Sequence, residues 1–148
     1  MREDAFFFYG TLMDRDLLSA VLGRRVWPHV LAPAVLRGYR RRSVHGASYP
    51  IVQRQRDASL SGVILDGVGT VEQARLSAYE GDRYELVQAL AELPRRRCKR
   101  IFLFAPRRGA YVVSNRPWTF AGWRPRHKQL AMKSVAVGWV EQTCETHR

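Results

Sequence analysis

Ala5 to Tyr9 form an unbroken apolar and aromatic run, with charged residues before it and Gly10 directly after it. A run this short reads as a strand buried near the centre of a sheet. Helical signals follow at once. Asp14 is a good N-cap, Leu17, Leu18, Val21 and Leu22 recur on one helical face, and Gly23 supplies a C-terminal stop. Strand, glycine turn and helix thus fall within the first 23 residues, and everything else must pack on that frame.

Downstream, Pro28, Pro33, Gly38, Gly46 and Pro50 interrupt short apolar runs such as Ala34 to Leu36, so short strands and loops are expected over 26–50. Leu60 to Leu65 reads as a mostly apolar strand ending in turns at Gly67 and Gly69. A second helix is predicted from Thr70, where Thr70 and Gln73 match a capping box, to Gly81, with Val71, Ala74 and Ala78 near one face. Tyr84 to Leu93 and Ile101 to Phe104 read as a hairpin across the basic turn Pro94 to Arg100. After Pro117, Leu130 to Trp139 suits a helix, although Val135 to Val140 equally suits a strand. No linker or repeat divides the chain, so a single domain over 1–148 is expected. A domain of this size buries roughly 70% of its unfolded surface and needs no disulfide or metal staple.

The formal charge of +12 is unevenly placed. Residues 1–93 hold 12 basic and 11 acidic side chains, whereas 94–148 hold 13 and 2. Such a block attracts anions over about 8 Å at physiological salt. Trp118, Phe120, Trp123 and Trp139 interleave with Arg124, Arg126, Lys128 and Lys133, and with Arg95-Arg96-Arg97 upstream they motivate an alternative reading. That alternative is a noncatalytic binding module for nucleic acid or another polyanion. No helix-turn-helix, zinc-finger or RNP-like pattern accompanies the charge.

Cys98 and Cys144 fit no CxxC or zinc spacing, and His29, His45, His127 and His147 lack ligand spacing, so no metal site is expected. Ser43 and His45 lie two apart without a nucleophile-elbow motif. No stretch approaches the roughly 20 apolar residues of a membrane span. The N-terminus is too acidic for a secretory signal, and a reducing, cytoplasmic setting is expected.

Two features could carry chemistry. The turn Tyr9-Gly10-Thr11-Leu12-Met13 joins the first strand to the first helix. Glycine there lets the backbone approach a ligand, and amides free at a helix start favour a carboxylate or phosphate. Glu80 ends the run Leu76-Ser77-Ala78-Tyr79-Glu80-Gly81. If the helix stops there, its last carbonyls disfavour the charged carboxylate and push its pKa up, as suits a general base near neutral pH.

Taken together, Tyr-Gly-Thr-Leu after an apolar strand and Tyr-Glu-Gly after a helix about 70 residues later resemble the γ-glutamylcyclotransferase-like superfamily. The form Tyr9-Gly10-Thr11-Leu12 is most similar to the plant avirulence-induced-gene group and the γ-glutamylamine cyclotransferases. Tyr49-Pro50-Ile51-Val52, the strand around Gly62, and Tyr84 four residues beyond Glu80 add to the likeness, which covers roughly residues 5–104. Leu86 stands where many relatives carry arginine.

The resemblance implies an α+β fold, a small mixed β-barrel-like sheet flanked by helices. It also implies a cofactor-free enzyme that converts a γ-glutamyl amine or γ-glutamyl amino acid to 5-oxoproline and the free amine. On that reading Tyr9, Gly10, Thr11, Leu12 and Tyr84 bind substrate, and Glu80 is the general acid and base. The implied partner is a small γ-glutamyl molecule, with oligomeric state left open.

Overall fold

The computed structural model describes the backbone of residues 4–146 and the side chains of residues 4–136. The side chains of Trp139 and Cys144, and His147 as a whole, lie outside the described residues. Five strands make the central sheet: β1 (Asp4–Phe8), β2 (Leu31–Val44), β3 (Pro50–Val68), β4 (Tyr84–Leu93) and β5 (Arg97–Pro106). Their order is β3-β1-β5-β4-β2, and β2 pairs back onto β3, so the sheet closes into a barrel. Closure removes the free edges that would otherwise invite pairing with another chain. Every pairing among these five is antiparallel except β1 with β5, which makes the barrel mixed. A short strand, β6 (Val113–Ser114), extends the sheet beside the end of β2. Three helices complete the α+β fold: α1 (Arg15–Leu22), α2 (Thr70–Glu80) and α3 (Phe120–Thr146).

The apolar run from Ala5 in β1 follows from burial on both faces. Successive side chains alternate across a strand. Ala5, Phe7 and Tyr9 join Leu36, Val52, Ile64, Ile101 and Leu103, a cluster drawn from the strands that fills the barrel. Phe6 and Phe8 point the other way and meet Leu17, Leu18 and Val21 of α1, Leu76 of α2 and Trp123 of α3. Phe6, Phe7, Leu17, Leu18 and Leu76 are among the fully buried side chains, each contributing about 1.5–3 kcal/mol on removal from water. Where β3 crosses β1, the backbones come close at Gly62. A Cβ there would lie 2.4 Å from the Phe8 carbonyl oxygen and 2.5 Å from the Phe7 ring.

The first helix follows its sequence signals closely. Asp14 caps it through Oδ1, which accepts a hydrogen bond from the Leu17 amide at 2.9 Å, and Gly23 ends it with φ of 76°. The structure differs from expectation in the middle of the chain. Instead of short strands, β2 runs unbroken for 14 residues through Pro33 and Gly38, and β3 begins at Pro50 rather than Leu60. Gly38, with φ of 83°, sits at the register shift between Arg37 and Tyr39, so the glycine bends a continuous strand. Residues 55–58 are accommodated opposite the same point, with Asp57 also at positive φ.

The second helix spans the expected residues but is held differently. Gly69, not Thr70, is its N-cap, and no side chain caps it. Gln73 instead donates to Asp4 Oδ2 and to the Val68 carbonyl, both at 3.0 Å, tying the helix to the ends of β1 and β3. The expected apolar face is outward, with Val71 70% exposed, while Leu76 is fully buried. Polar anchors decide this rotation. Arg24 pairs with Glu72, and Arg75 donates to the Leu22 carbonyl, so α2 presents Leu76 to the core. In the hairpin the turn contracts to Pro94–Arg96 and β5 starts at Arg97. The ambiguity over 135–140 resolves as helix: α3 is continuous through this stretch.

Candidate active site

The turn after β1 is a 3-10 segment, Thr11–Met13, distinct from α1. The amides of Met13 and Asp14 bond back to the carbonyls of Gly10 and Thr11, at 3.0 and 3.1 Å, and among the described residues no backbone carbonyl takes up the amides of Thr11 and Leu12. The start of α1 is not the anion cradle its position suggests, because the buried Asp14 carboxylate already occupies it. Thr11 and Leu12 therefore offer the free donors. Gly10 lies against Pro50, where a Cβ would come within 3.0 Å of the proline ring.

Glu80 is the last residue of α2, and Gly81 stops the helix with φ of 86°. The structure brings Tyr9, Gly10, Thr11, Leu12, Glu80 and Tyr84 to one cavity of about 420 Å³. Its remaining wall includes Tyr49, Tyr79, Tyr111 and Trp123. Glu80 is the only carboxylate among the described lining residues, and no lysine or arginine joins it there. Burial pushes its carboxyl pKa up from 4.5 to about 8. The direction agrees with the sequence expectation, but the cause is removal from water rather than the carbonyls of the helix end.

Phenols surround this carboxyl. Tyr9, Tyr79 and Tyr84 are each raised above the usual tyrosine range, first by burial and also by the Glu80 charge, with Tyr79 pushed up to about 12. All three therefore stay protonated hydrogen-bond donors at neutral pH. Tyr9 spends its hydroxyl on the Phe104 carbonyl at 2.6 Å, which pins the end of β1 to β5. Its own carbonyl accepts from Arg41 Nε at 2.8 Å, and Arg41 also donates to the Ser61 carbonyl at 2.7 Å. Tyr9 thus sets the position of the glycine turn, which Thr11 then links to Tyr79 through hydroxyls 2.9 Å apart.

Sequence reasoning did not place Tyr79, Tyr111, Trp123 or Arg41 at this site: Trp123 entered only among the aromatics of the polyanion-binding alternative, and Tyr79 only as part of the Tyr-Glu-Gly motif. Tyr111 packs on Tyr84 and Tyr49 with ring centroids 5.5 and 5.9 Å away, and Trp123 arrives on α3. Contacts between residues so distant in the chain leave no local pattern. Tyr79 alone had a signal, its place one residue before Glu80. Ser43, His45 and Cys98 do not line the cavity. Among the described residues no group of three metal-ligating side chains gathers, and no helix is long and apolar enough to cross a membrane.

A closed mixed barrel whose glycine turn and shielded glutamate line one cavity defines the class of protein. Residues 6–120 match the γ-glutamyl cyclotransferase, AIG2-like family, and the chain belongs to that family. It is 33% identical to AIG2-like protein A of Arabidopsis thaliana over 81 residues, 55% of this chain and 47% of that protein, so the match spans about half of the relative. A solution structure of another Arabidopsis thaliana protein superposes with a TM-score of 0.67 at 23% identity, covering 90% of this chain and 89% of that one. A γ-glutamyl cyclotransferase structure gives 0.59 at 10% identity over 76% and 70% of the two chains. At these identities the structural likeness is one of fold.

Proposed function

We propose that this chain is a γ-glutamyl cyclotransferase, releasing 5-oxoproline and a free amine from a γ-glutamyl amine or γ-glutamyl amino acid. The observation that carries the reading is the presence of Glu80, in a phenol-lined setting that raises its pKa, in the same cavity as the Tyr9-to-Leu12 turn. Membership of the family supports the same class of reaction.

In this reading the amides of Thr11 and Leu12 hold the γ-glutamyl moiety. The Glu80 carboxylate takes a proton from the substrate α-ammonium, and the freed nitrogen attacks the γ-carbonyl carbon. A carbon–nitrogen bond closes the five-membered ring, the bond to the leaving amine breaks, and that amine departs in its ammonium form, taking the proton held by Glu80 and the second proton that the ring nitrogen sheds. A base of pKa about 8 is well matched to an ammonium only slightly less acidic. Because nucleophile and electrophile belong to one molecule, holding the chain folded supplies much of the acceleration. Tyr84 and its neighbour Tyr111 enclose the reacting end.

The test is 5-oxoproline release from a panel of γ-glutamyl amines and amino acids, with wild type and Glu80→Gln compared. Release by the wild type, reduced at least about 100-fold in the variant, is expected for loss of a general base. Release undiminished in the variant overturns the role of Glu80, and silence of the wild type across the panel overturns the activity.

A further inference from the structure

A second cavity, of about 610 Å³, opens on the outside of the barrel beside β2 and β6. Arg40, Arg41 and Arg42 line it from β2, and Arg116 and Trp118 line it from the segment after β6. Ser43, Ser59, Ser61, Ser114 and Asn115 supply hydroxyl and amide groups, and no aspartate or glutamate is present in the lining. Most of this charge comes from the part of the sequence with almost no net charge. Three of the four arginines are consecutive in the sequence, and folding brings Arg116 beside them.

The four arginines are not equivalent. Arg41 is committed, with its guanidinium on the carbonyls of Tyr9 and Ser61 and 5.7 Å from the centre of the Trp118 ring. Arg40, Arg42 and Arg116 have no side-chain hydrogen bond, ion pair or ring contact among the described residues, whereas Arg24, Arg37, Arg107 and Arg124 all hold carboxylates. Three planar, permanently charged forks around a concave, acid-free surface rich in hydroxyls are suited to oxyanions bound bidentately.

We propose that this cavity is a binding site for a small phosphorylated anion carrying at least two phosphate groups, held by Arg40, Arg42 and Arg116. The concave shape favours a compact ligand over a long strand. The three uncommitted positive charges exceed the roughly −1.5 to −2 carried by one monophosphate and match a diphosphate better. The proposal is independent of the cyclotransferase reading. The one link between the two sites is Arg41, which lines this cavity and donates to the carbonyl of Tyr9 in the wall of the other.

The probe is pyrophosphate, titrated at 150 mM salt with calorimetry and Trp fluorescence, since Trp118 lies in the wall. Two variants lose three positive charges each: Arg40→Ala/Arg42→Ala/Arg116→Ala in the cavity, and Arg95→Ala/Arg96→Ala/Arg97→Ala in the exposed hairpin turn. Saturable binding by the wild type, weakened at least tenfold in the first variant and less than twofold in the second, is the expected result. Equal weakening in both shows a net-charge effect and overturns the site, as does no binding by the wild type. A single-stranded oligonucleotide is titrated in parallel. Its binding through the same arginines, without pyrophosphate binding, overturns the small-ligand assignment in favour of a nucleic-acid backbone. Circular dichroism checks folding, and single Arg→Gln changes replace the triple variant if it unfolds.

Discussion

The hydroxyls of Thr11 and Tyr79 lie 2.9 Å apart, joining the glycine turn after β1 to the last turn of α2 directly before Glu80. Both walls of the cavity are thereby held by one hydrogen bond between residues 68 positions apart. Thr11→Val and Tyr79→Phe should each lower kcat/KM about tenfold while leaving the fold intact. A double-mutant cycle should give a coupling of about 0.5–1.5 kcal/mol, the usual net worth of one such bond. Additive effects would show that the two walls are set independently.

Glu80 must lose its proton to act as a base, and its pKa of about 8 leaves only a minor fraction ionised at pH 7. In the free enzyme kcat/KM should therefore rise about tenfold per pH unit below 8 and level off above it. A profile flat from pH 6 to 9 would contradict this.

The same shift makes a stability prediction. The folded protein keeps the Glu80 proton up to pH near 8, while the unfolded chain releases it near 4.5. The folded state binds more protons in that window, so this residue's contribution to stability is fully present below about pH 4.5 and is lost as pH rises toward 8. Glu80→Gln, neutral throughout, should melt at least about 3 °C above wild type at pH 8.5 and close to it at pH 5. Equal differences at both pH values would sink the argument.

Asp14 does more than cap α1. Its fully buried carboxylate is 3.0 Å from Lys128 Nζ and 3.2 Å from Arg124 Nε on α3. Asp14→Ala should cost about 2–3 kcal/mol, because it removes the helix cap and the ion pair with the partly buried Lys128, whereas Arg124 is more than half exposed and stays solvated. Asp14→Asn, which keeps an acceptor for the Leu17 amide, should cost less. Urea denaturation of the two variants separates the cap from the ion pairs.

At Gly62 even a methyl group meets the Phe8 carbonyl and the Phe7 ring. Gly62→Ala should destabilise the protein by about 2–3 kcal/mol or more through forced separation of β3 from β1. Gly46→Ala, at a glycine with no atom near the added carbon, tests the contrast: its cost is confined to its positive φ of 76°, about 1 kcal/mol. Thermal melts of both should place Gly62→Ala well below Gly46→Ala.

The family and the mixed barrel were legible because their signals are local. β1 falls on the five-residue apolar run Ala5 to Tyr9, α1 has a cap, a face and a stop, and the Tyr-Gly-Thr-Leu and Tyr-Glu-Gly motifs each lie within a few residues. The long strands were less so. Gly38 and Asp57 look like breaks in one dimension, yet opposite one another they are a bend in a continuous β2–β3 ladder.

Sequence by itself determined the first strand and helix, the closing hairpin, and the residue types the site draws on, since each depends on neighbours a few positions away. Only the tertiary structure decided that α2 buries Leu76 rather than Val71, that Arg41 clasps the Tyr9 carbonyl, and that Tyr111 and Trp123 line one cavity with Glu80. These outcomes rest on hydrogen bonds and burial between segments tens of residues apart. The raised pKa of Glu80 is one of them, since the walls that partly bury its carboxyl converge only when the barrel closes and the helices pack.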